Sequence, residues 1–143
     1  MKKYILLLLA LPLFLGCSDD GFNNNNKFLP NYNFSLDIDM NLPLYSKLLY
    51  PANPVRVNTA GIGINGVIVM NTGSGYTAFE ASCPNQPLTG CSSLVLNGIL
   101  VKCPCDDSEY SLFDGTPAKG DVKFPLKAYR VTVINSTAIR ISN

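Results

Sequence analysis

From Phe34 to Leu42 the chain alternates without a break. Phe34, Leu36, Ile38, Met40 and Leu42 are apolar, and Ser35, Asp37, Asp39 and Asn41 between them are polar. A period of two sends alternate side chains to opposite faces, so the stretch predicts a half-buried β-strand. Leu44 to Tyr50 predicts a short helical turn or an irregular crossing, broken by Pro51 and Pro54. Gly66 to Met70 is an apolar, β-branched run, and Tyr76 to Ala81 reads as the strand returning from the loop Asn71-Thr72-Gly73-Ser74-Gly75. Leu94-Val95-Leu96 and Ile99-Leu100-Val101 flank Asn97-Gly98. That pair accommodates the positive φ angles of a type I′ turn and predicts a tight hairpin. Tyr110 to Phe113 leads into a second turn at Asp114-Gly115, and Tyr129 to Ile134 and Ala138 to Ile141 flank Asn135-Ser136 as a final hairpin. Short strands, close turn signals and no long amphipathic helix predict an all-β fold, a small antiparallel β-sandwich or barrel. Gly61-Ile62-Gly63 with Gly66 has the glycines of a phosphate loop, but no helical pattern follows, which favours a turn between strands.

The N-terminus follows a different pattern. Lys2 and Lys3 precede Tyr4 to Leu15, which is apolar almost throughout. The run is much shorter than the about 20 apolar residues of a membrane-spanning helix. It has the form of a signal peptide. It ends Phe14-Leu15-Gly16-Cys17, which resembles a lipobox, with the cysteine where the apolar run stops. The resemblance implies cleavage before Cys17 and lipid on that cysteine, and two or three acyl chains would anchor stably. Ser18-Asp19-Asp20 and the run Asn23-Asn24-Asn25-Asn26 follow. Such a segment buries too little apolar surface to fold and reads as a flexible tether. Acidic residues just after the cysteine resemble the surface-export signal of Bacteroidetes-type lipoproteins. The resulting organisation is a signal peptide at 1–16, a lipidated cysteine and tether at 17–33, and a β domain at 34–143. The expected location is the outer membrane, with the cell surface and the periplasmic face both open.

Composition and charge narrow the function classes. Removing residues 1–16 takes away two lysines and leaves 9 Lys+Arg against 10 Asp+Glu, so the mature chain carries a net charge of −1. That balance offers no basic face for nucleic acid. The chain contains no histidine. A Ser-His-Asp or Cys-His arrangement is therefore impossible, no hydrolytic site is readable, and the protein reads as a non-enzyme. Asp106, Asp107, Glu109 and Asp114 form an acidic cluster without the spacing of a calcium loop, which favours a solvated face.

With Cys17 assigned to lipid, Cys83, Cys91, Cys103 and Cys105 remain, two on each side of the Asn97-Gly98 hairpin. A hairpin brings its ends together, so the four thiols should meet. Two disulfides, an iron–sulfur cluster, a zinc site and a thiol-exchange site at Cys103-Pro104-Cys105 all remain open on cysteine number alone. Export permits disulfides. Zinc pairs usually sit two to four residues apart, which these spacings do not match. The acidic neighbours Asp106, Asp107 and Glu109 oppose a reactive thiolate.

Cys83-Pro84-Asn85 and Cys103-Pro104-Cys105-Asp106-Asp107-Ser108-Glu109-Tyr110 resemble the two cluster loops of the Rieske iron–sulfur family. Those domains hold a [2Fe–2S] cluster between a Cys-x-His loop and a Cys-x-x-His loop joined through a β-hairpin. Cys103, Pro104, Cys105, Ser108 and Tyr110 match in register, and Gly115 with Phe124-Pro125-Leu126 and Tyr129-Arg130-Val131 resembles the family's ending. The resemblance covers residues 55–143 and implies a Rieske-like (iron–sulfur protein domain) fold. Both ligand histidines are replaced, the first by Asn85 and the second by Asp106. Two imidazoles on one iron set a Rieske cluster's potential. Asn is a poor iron ligand, and a carboxylate is uncommon on such clusters.

The resemblance then implies disulfides Cys83–Cys103 and Cys91–Cys105, with no cofactor. On this reading the protein is a membrane-anchored binding or accessory module with an unknown protein partner. The alternative is a [2Fe–2S] electron-transfer protein ligated by the four cysteines or by three with Asp106, the cluster-loop positions being Cys83, Asn85, Cys103 and Asp106. Ser108 and Tyr110 would then donate hydrogen bonds to sulfur, as the matching residues do in the family.

Overall fold

The computed structural model describes residues 25–143, so the signal peptide, Cys17 and the acidic residues after it lie outside the described residues. Ten strands follow in chain order: β1 (Ser35–Asp39), β2 (Val55–Val57), β3 (Val67–Asn71), β4 (Tyr76–Glu80), β5 (Val95–Asn97), β6 (Leu100–Lys102), β7 (Glu109–Ser111), β8 (Pro117–Lys119), β9 (Arg130–Asn135) and β10 (Ala138–Ser142). They form three antiparallel sheets, ordered β1-β10-β9, β2-β3-β4 and β5-β6-β7-β8. A single 3-10 turn, Ser46–Leu49, occupies the predicted crossing among the described residues and buries Leu48. The fold is all-β, as the sequence predicts.

β3 explains how these sheets stack. Its run Val67–Met70 is buried on both faces. Val67 and Val69 enter one core with Ile38, Met40, Ile139 and Ile141 of the first sheet. Ile68 and Met70 enter a second core with Leu94, Val101, Tyr110, Leu112, Cys83 and Cys103. A strand covered on both sides needs a continuous apolar run, whereas β1, covered on one side, needs only alternation. The middle sheet is therefore a shared wall, and Cys83 and Cys103 lie in the core on its far side. Tyr129 N donates to Ala78 O (2.8 Å) and Glu80 N to Lys127 O (2.9 Å), which stitch the first sheet to the middle one.

Buried charges fix the joints. Glu80 is fully buried. It accepts from Ile64 N (2.7 Å), Asn65 N (3.0 Å), Ser82 Oγ (2.8 Å) and Tyr129 Oη (2.6 Å). Together these bonds satisfy the carboxylate that burial would otherwise penalise. A Cβ at Gly63 would stand 2.9 Å from Glu80 Oε2. The 61–66 loop is thus a turn wrapped on a carboxylate, which repels phosphate. Arg56 on β2 donates to Leu94 O (2.6 Å), Asn65 O (3.0 Å) and Ser93 Oγ (2.6 Å), tying the middle sheet to the start of the third.

Two expectations change here. The hairpin pairs Asn97 with Leu100, so the turn residues are Gly98 and Ile99. Gly98 takes φ +62° and Asn97 does not take a positive φ. Positive φ at the first central position alone is the pattern of a II′ turn, with Gly where that turn wants it, and not the I′ turn predicted. Residues 26–31, expected in the tether, pack on the body. Leu29 is 1% exposed. Phe28 meets Phe124 edge-on, and Lys127 Nζ donates to Leu29 O, Pro30 O and Asn31 Oδ1. Phe28 and Leu29 supply the apolar surface that the asparagine run lacks, and Lys127 supplies the donors for the backbone.

Candidate functional site

Cys83 follows β4 and Cys103 follows β6. The Ser82–Ser93 bridge and the bond from Cys83 N to Ser92 O (2.7 Å) hold the first loop. The second loop closes through Cys103 N to Ser108 O (2.8 Å) and Asp107 N to Cys103 O (3.0 Å). Asp107 takes φ +57° there, a conformation that short polar residues tolerate. Its carboxylate pairs with Lys102 at 2.6 Å. That pairing draws the Asp107 carboxyl below its ordinary value and the Lys102 ammonium above its own.

The loops are joined twice. Cys83 and Cys103 form one disulfide with Cα atoms 5.5 Å apart, and Cys91 and Cys105 form another at 5.3 Å. These are the pairs that the resemblance implies. Cys83 and Cys103 are fully buried. Cys91 is exposed and Cys105 half-buried. The Sγ atoms of Cys83, Cys103 and Cys105 all lie within 4.8 Å of one another, so the two bridges are neighbours.

The positions of the missing histidines are taken up with other bonds. Asn85 Oδ1 accepts from Lys123 N (3.0 Å) and Phe124 N (2.8 Å), and Asn85 Nδ2 donates to Phe124 O (2.8 Å) and Tyr110 Oη (2.9 Å). All four hydrogen-bonding places of the amide are filled. Asp106 is exposed, and its Oδ1 accepts from Ser108 N (3.0 Å) and from Ser108 Oγ. Ser108 Oγ lies 3.1 Å from Tyr110 Oη. Ser108 has one hydroxyl proton and the carboxylate needs it, so Tyr110 Oη donates to Ser108 Oγ. Burial raises the Tyr110 hydroxyl above its ordinary value, which keeps it protonated for that role.

With the bridges closed, Asn85 faces the 123–124 backbone and Asp106 caps its own turn. The Ser108 and Tyr110 hydroxyls turn to Asp106, Asn85 and each other instead of donating to sulfur. Gln86 Nε2, which sequence reasoning did not single out, approaches Cys103 Sγ at 3.3 Å. Thr89 Oγ1 lies 3.2 Å from Cys91 Sγ and 3.7 Å from Cys105 Sγ. Among the described residues the acidic cluster does not converge. Asp107 pairs with Lys102, Glu109 lies 3.9 Å from Lys119, and Asp114 accepts from Thr116. A solvated face describes it.

Comparison with solved structures agrees with the architecture. One chain in the complex of reduced oxygenase and oxidized ferredoxin in carbazole 1,9a-dioxygenase superposes with a TM-score of 0.51 at 22% identity, over 76% of this chain and 92% of that one. The ferredoxin of carbazole 1,9a-dioxygenase from Nocardioides aromaticivorans IC177 gives 0.48 at 18% identity, over 78% and 97%. The apo form of a quaternary ammonium Rieske monooxygenase gives 0.49 at 16% identity, over 80% of this chain and 34% of that one. No protein-family model matches the sequence, and no curated protein matches it. At 22% identity the first likeness speaks to the fold alone, and the fold is that of a Rieske-like domain. The residues present do not fit that fold's histidine-ligated cluster. The chain has no histidine, and the two sulfurs that would share an iron are bonded to each other.

Proposed function

We propose that this protein is a lipid-anchored, cluster-free Rieske-like module, cross-linked at the former cluster site and acting as a binding or accessory protein rather than an enzyme. One observation carries the reading: the Asn85 amide has all four of its places filled by Lys123, Phe124 and Tyr110 beside the Cys83–Cys103 bridge. The positions that match the family's cluster loops hold the two loops together. The anchor is lipid on Cys17, and the membrane is the outer membrane. The partner is a protein.

The path of the chain supports a site held near that membrane. Asn26 Nδ2 donates to Pro84 O at 2.7 Å, so the chain at Asn26 lies beside the first cysteine loop. Eight residues lie between Cys17 and Asn26, so nine Cα–Cα steps join them. Fully extended they reach about 30 Å, so the cysteine loops stay within that distance of the lipid.

A second reading is favoured by the three sulfurs of Cys83, Cys103 and Cys105 lying within 4.8 Å of one another. Opened by reduction, they would supply three thiolates, with Cys91 or Asp106 as the fourth ligand of a [2Fe–2S] cluster, and the protein would be an electron carrier. Optical spectra and iron and acid-labile sulfide assays on protein purified from membranes without oxygen separate the two. The proposal expects a colourless protein with neither element. Red-brown protein with both would establish the electron-carrier reading. Cys17→Ser is expected to move the protein from the membrane to the soluble fraction, and retention in the membrane would contradict the anchor.

A further inference from the structure

We propose that the two disulfides form an exchange relay, in which the exposed Cys91–Cys105 bridge is the port through which a dithiol reductant opens the buried Cys83–Cys103 bridge. The relay rests on the cross-linked reading above and adds a redox activity to it.

Accessibility sets the order. Cys83 and Cys103 are 0% exposed, so an external thiolate has no approach to either sulfur. Cys91 is exposed on the outer bridge. Exchange proceeds by attack of a thiolate on a disulfide sulfur. A thiolate of the dithiol attacks Cys91 Sγ, forms a mixed disulfide there, and Cys105 leaves as thiolate. The second thiol of the reductant closes on the first, and Cys91 is released as a thiol. The reductant is oxidised to its disulfide, and two electrons enter the protein.

Proximity sets the second step. The freed Cys105 Sγ lies within 4.8 Å of both sulfurs of the buried bridge. Attack on Cys103 would join residues separated only by Pro104, a strained ring. Attack on Cys83 forms Cys83–Cys105, breaks Cys83–Cys103 and releases Cys103 as thiolate. Gln86 Nε2, 3.3 Å from Cys103 Sγ, donates to the sulfur that departs. Thr89 Oγ1, 3.2 Å from Cys91 Sγ and 3.7 Å from Cys105 Sγ, is the hydroxyl beside the first exchange. A hydrogen-bond donor stabilises a thiolate and makes it a better leaving group. Of the neighbouring charges that would oppose a thiolate, Asp107 is paired with Lys102 and Glu109 lies 3.9 Å from Lys119, while Asp106 is held by Ser108. The net result is one disulfide moved and two thiols gained, on Cys91 and Cys103.

The test is a titration of the oxidised protein with one equivalent of dithiothreitol, quenched in acid, alkylated and mapped by mass spectrometry. The relay predicts label on Cys91 and Cys103 and a linked Cys83–Cys105 peptide. Label on Cys91 and Cys105 alone, or on Cys83 and Cys103 with the outer bridge intact, would overturn it. The Cys91→Ser/Cys105→Ser variant supplies a kinetic readout. Its buried bridge should be reduced at least tenfold more slowly than in the wild type, and an equal rate would sink the relay. The unreduced sample tells the two proposals apart. Cysteines that label before any reductant is added would refute the cross-linked reading itself, whereas unlabelled cysteines with the wrong products afterwards would refute only the relay.

Discussion

The Asn85 amide accepts from two backbone N–H groups of the 123–124 segment and donates to Phe124 O and Tyr110 Oη. Asn85→Ala leaves these groups unpaired in a half-buried place, and each orphaned group costs on the order of 1 kcal/mol or more. The expected loss is about 2–4 kcal/mol, read as a drop in the urea midpoint. Asn85→Asp keeps both acceptor bonds and should cost less. Equal losses would mean that the two acceptor bonds contribute nothing. Tyr129 gives a pH signature. Burial and the adjacent Glu80 carboxylate raise its hydroxyl far above the ordinary value, and burial raises Tyr110 in the same direction. Unfolded tyrosines ionise near pH ~10 while these two stay protonated, so their stabilisation is present below that pH and falls as pH rises through it. Urea midpoints between pH 8 and 11 should show the fall, and Tyr129→Phe should flatten it. These roles were not legible in the sequence. Asn85's partners lie 25 to 39 residues away and are mostly backbone groups, which carry no sequence signal.

Strands were legible where burial imposes a period. β1 alternates because one face is covered, and the two-sided burial of β3 shows as an unbroken apolar run. β2 and β8 were not legible. β2 is three residues long with Arg56 at its centre, and β8 is an exposed edge strand that begins with Pro117. Neither is long or amphipathic enough to stand out. Turn glycines differ in what surrounds them. A Cβ at Gly115 would meet Phe79 Cε1 at 2.7 Å at φ +77°, whereas Gly98 has open space at φ +62°. Gly98→Ala should cost about 1 kcal/mol, mainly from the backbone. Gly115→Ala should cost about 2–4 kcal/mol, since overpacking adds to the same backbone term. Urea midpoints of the two variants read the gap, and similar losses would contradict the packing account.

At the scale of the whole molecule, two cores share the middle sheet, and the cysteine loops cap the second of them. Each bridge should contribute about 2–4 kcal/mol by constraining the unfolded chain. The Cys83→Ala/Cys103→Ala variant should therefore show a clearly lower melting temperature, and an unchanged one would mean that the bridge holds nothing. The Rieske-like fold was legible because Cys103-Pro104-Cys105, Ser108 and Tyr110 keep the register of a cluster loop. The start of the folded body was not, because Phe28 and Leu29 are two apolar residues in a polar run and their anchor, Lys127, lies about a hundred residues on. The most direct measurement is the intact mass of the exported protein, taken under native conditions and again after reduction and unfolding. The account predicts no iron or sulfide adduct and a gain of four hydrogens on reduction, two for each bridge. A native mass that carries two irons and two sulfides, or a mass that reduction leaves unchanged, would contradict it.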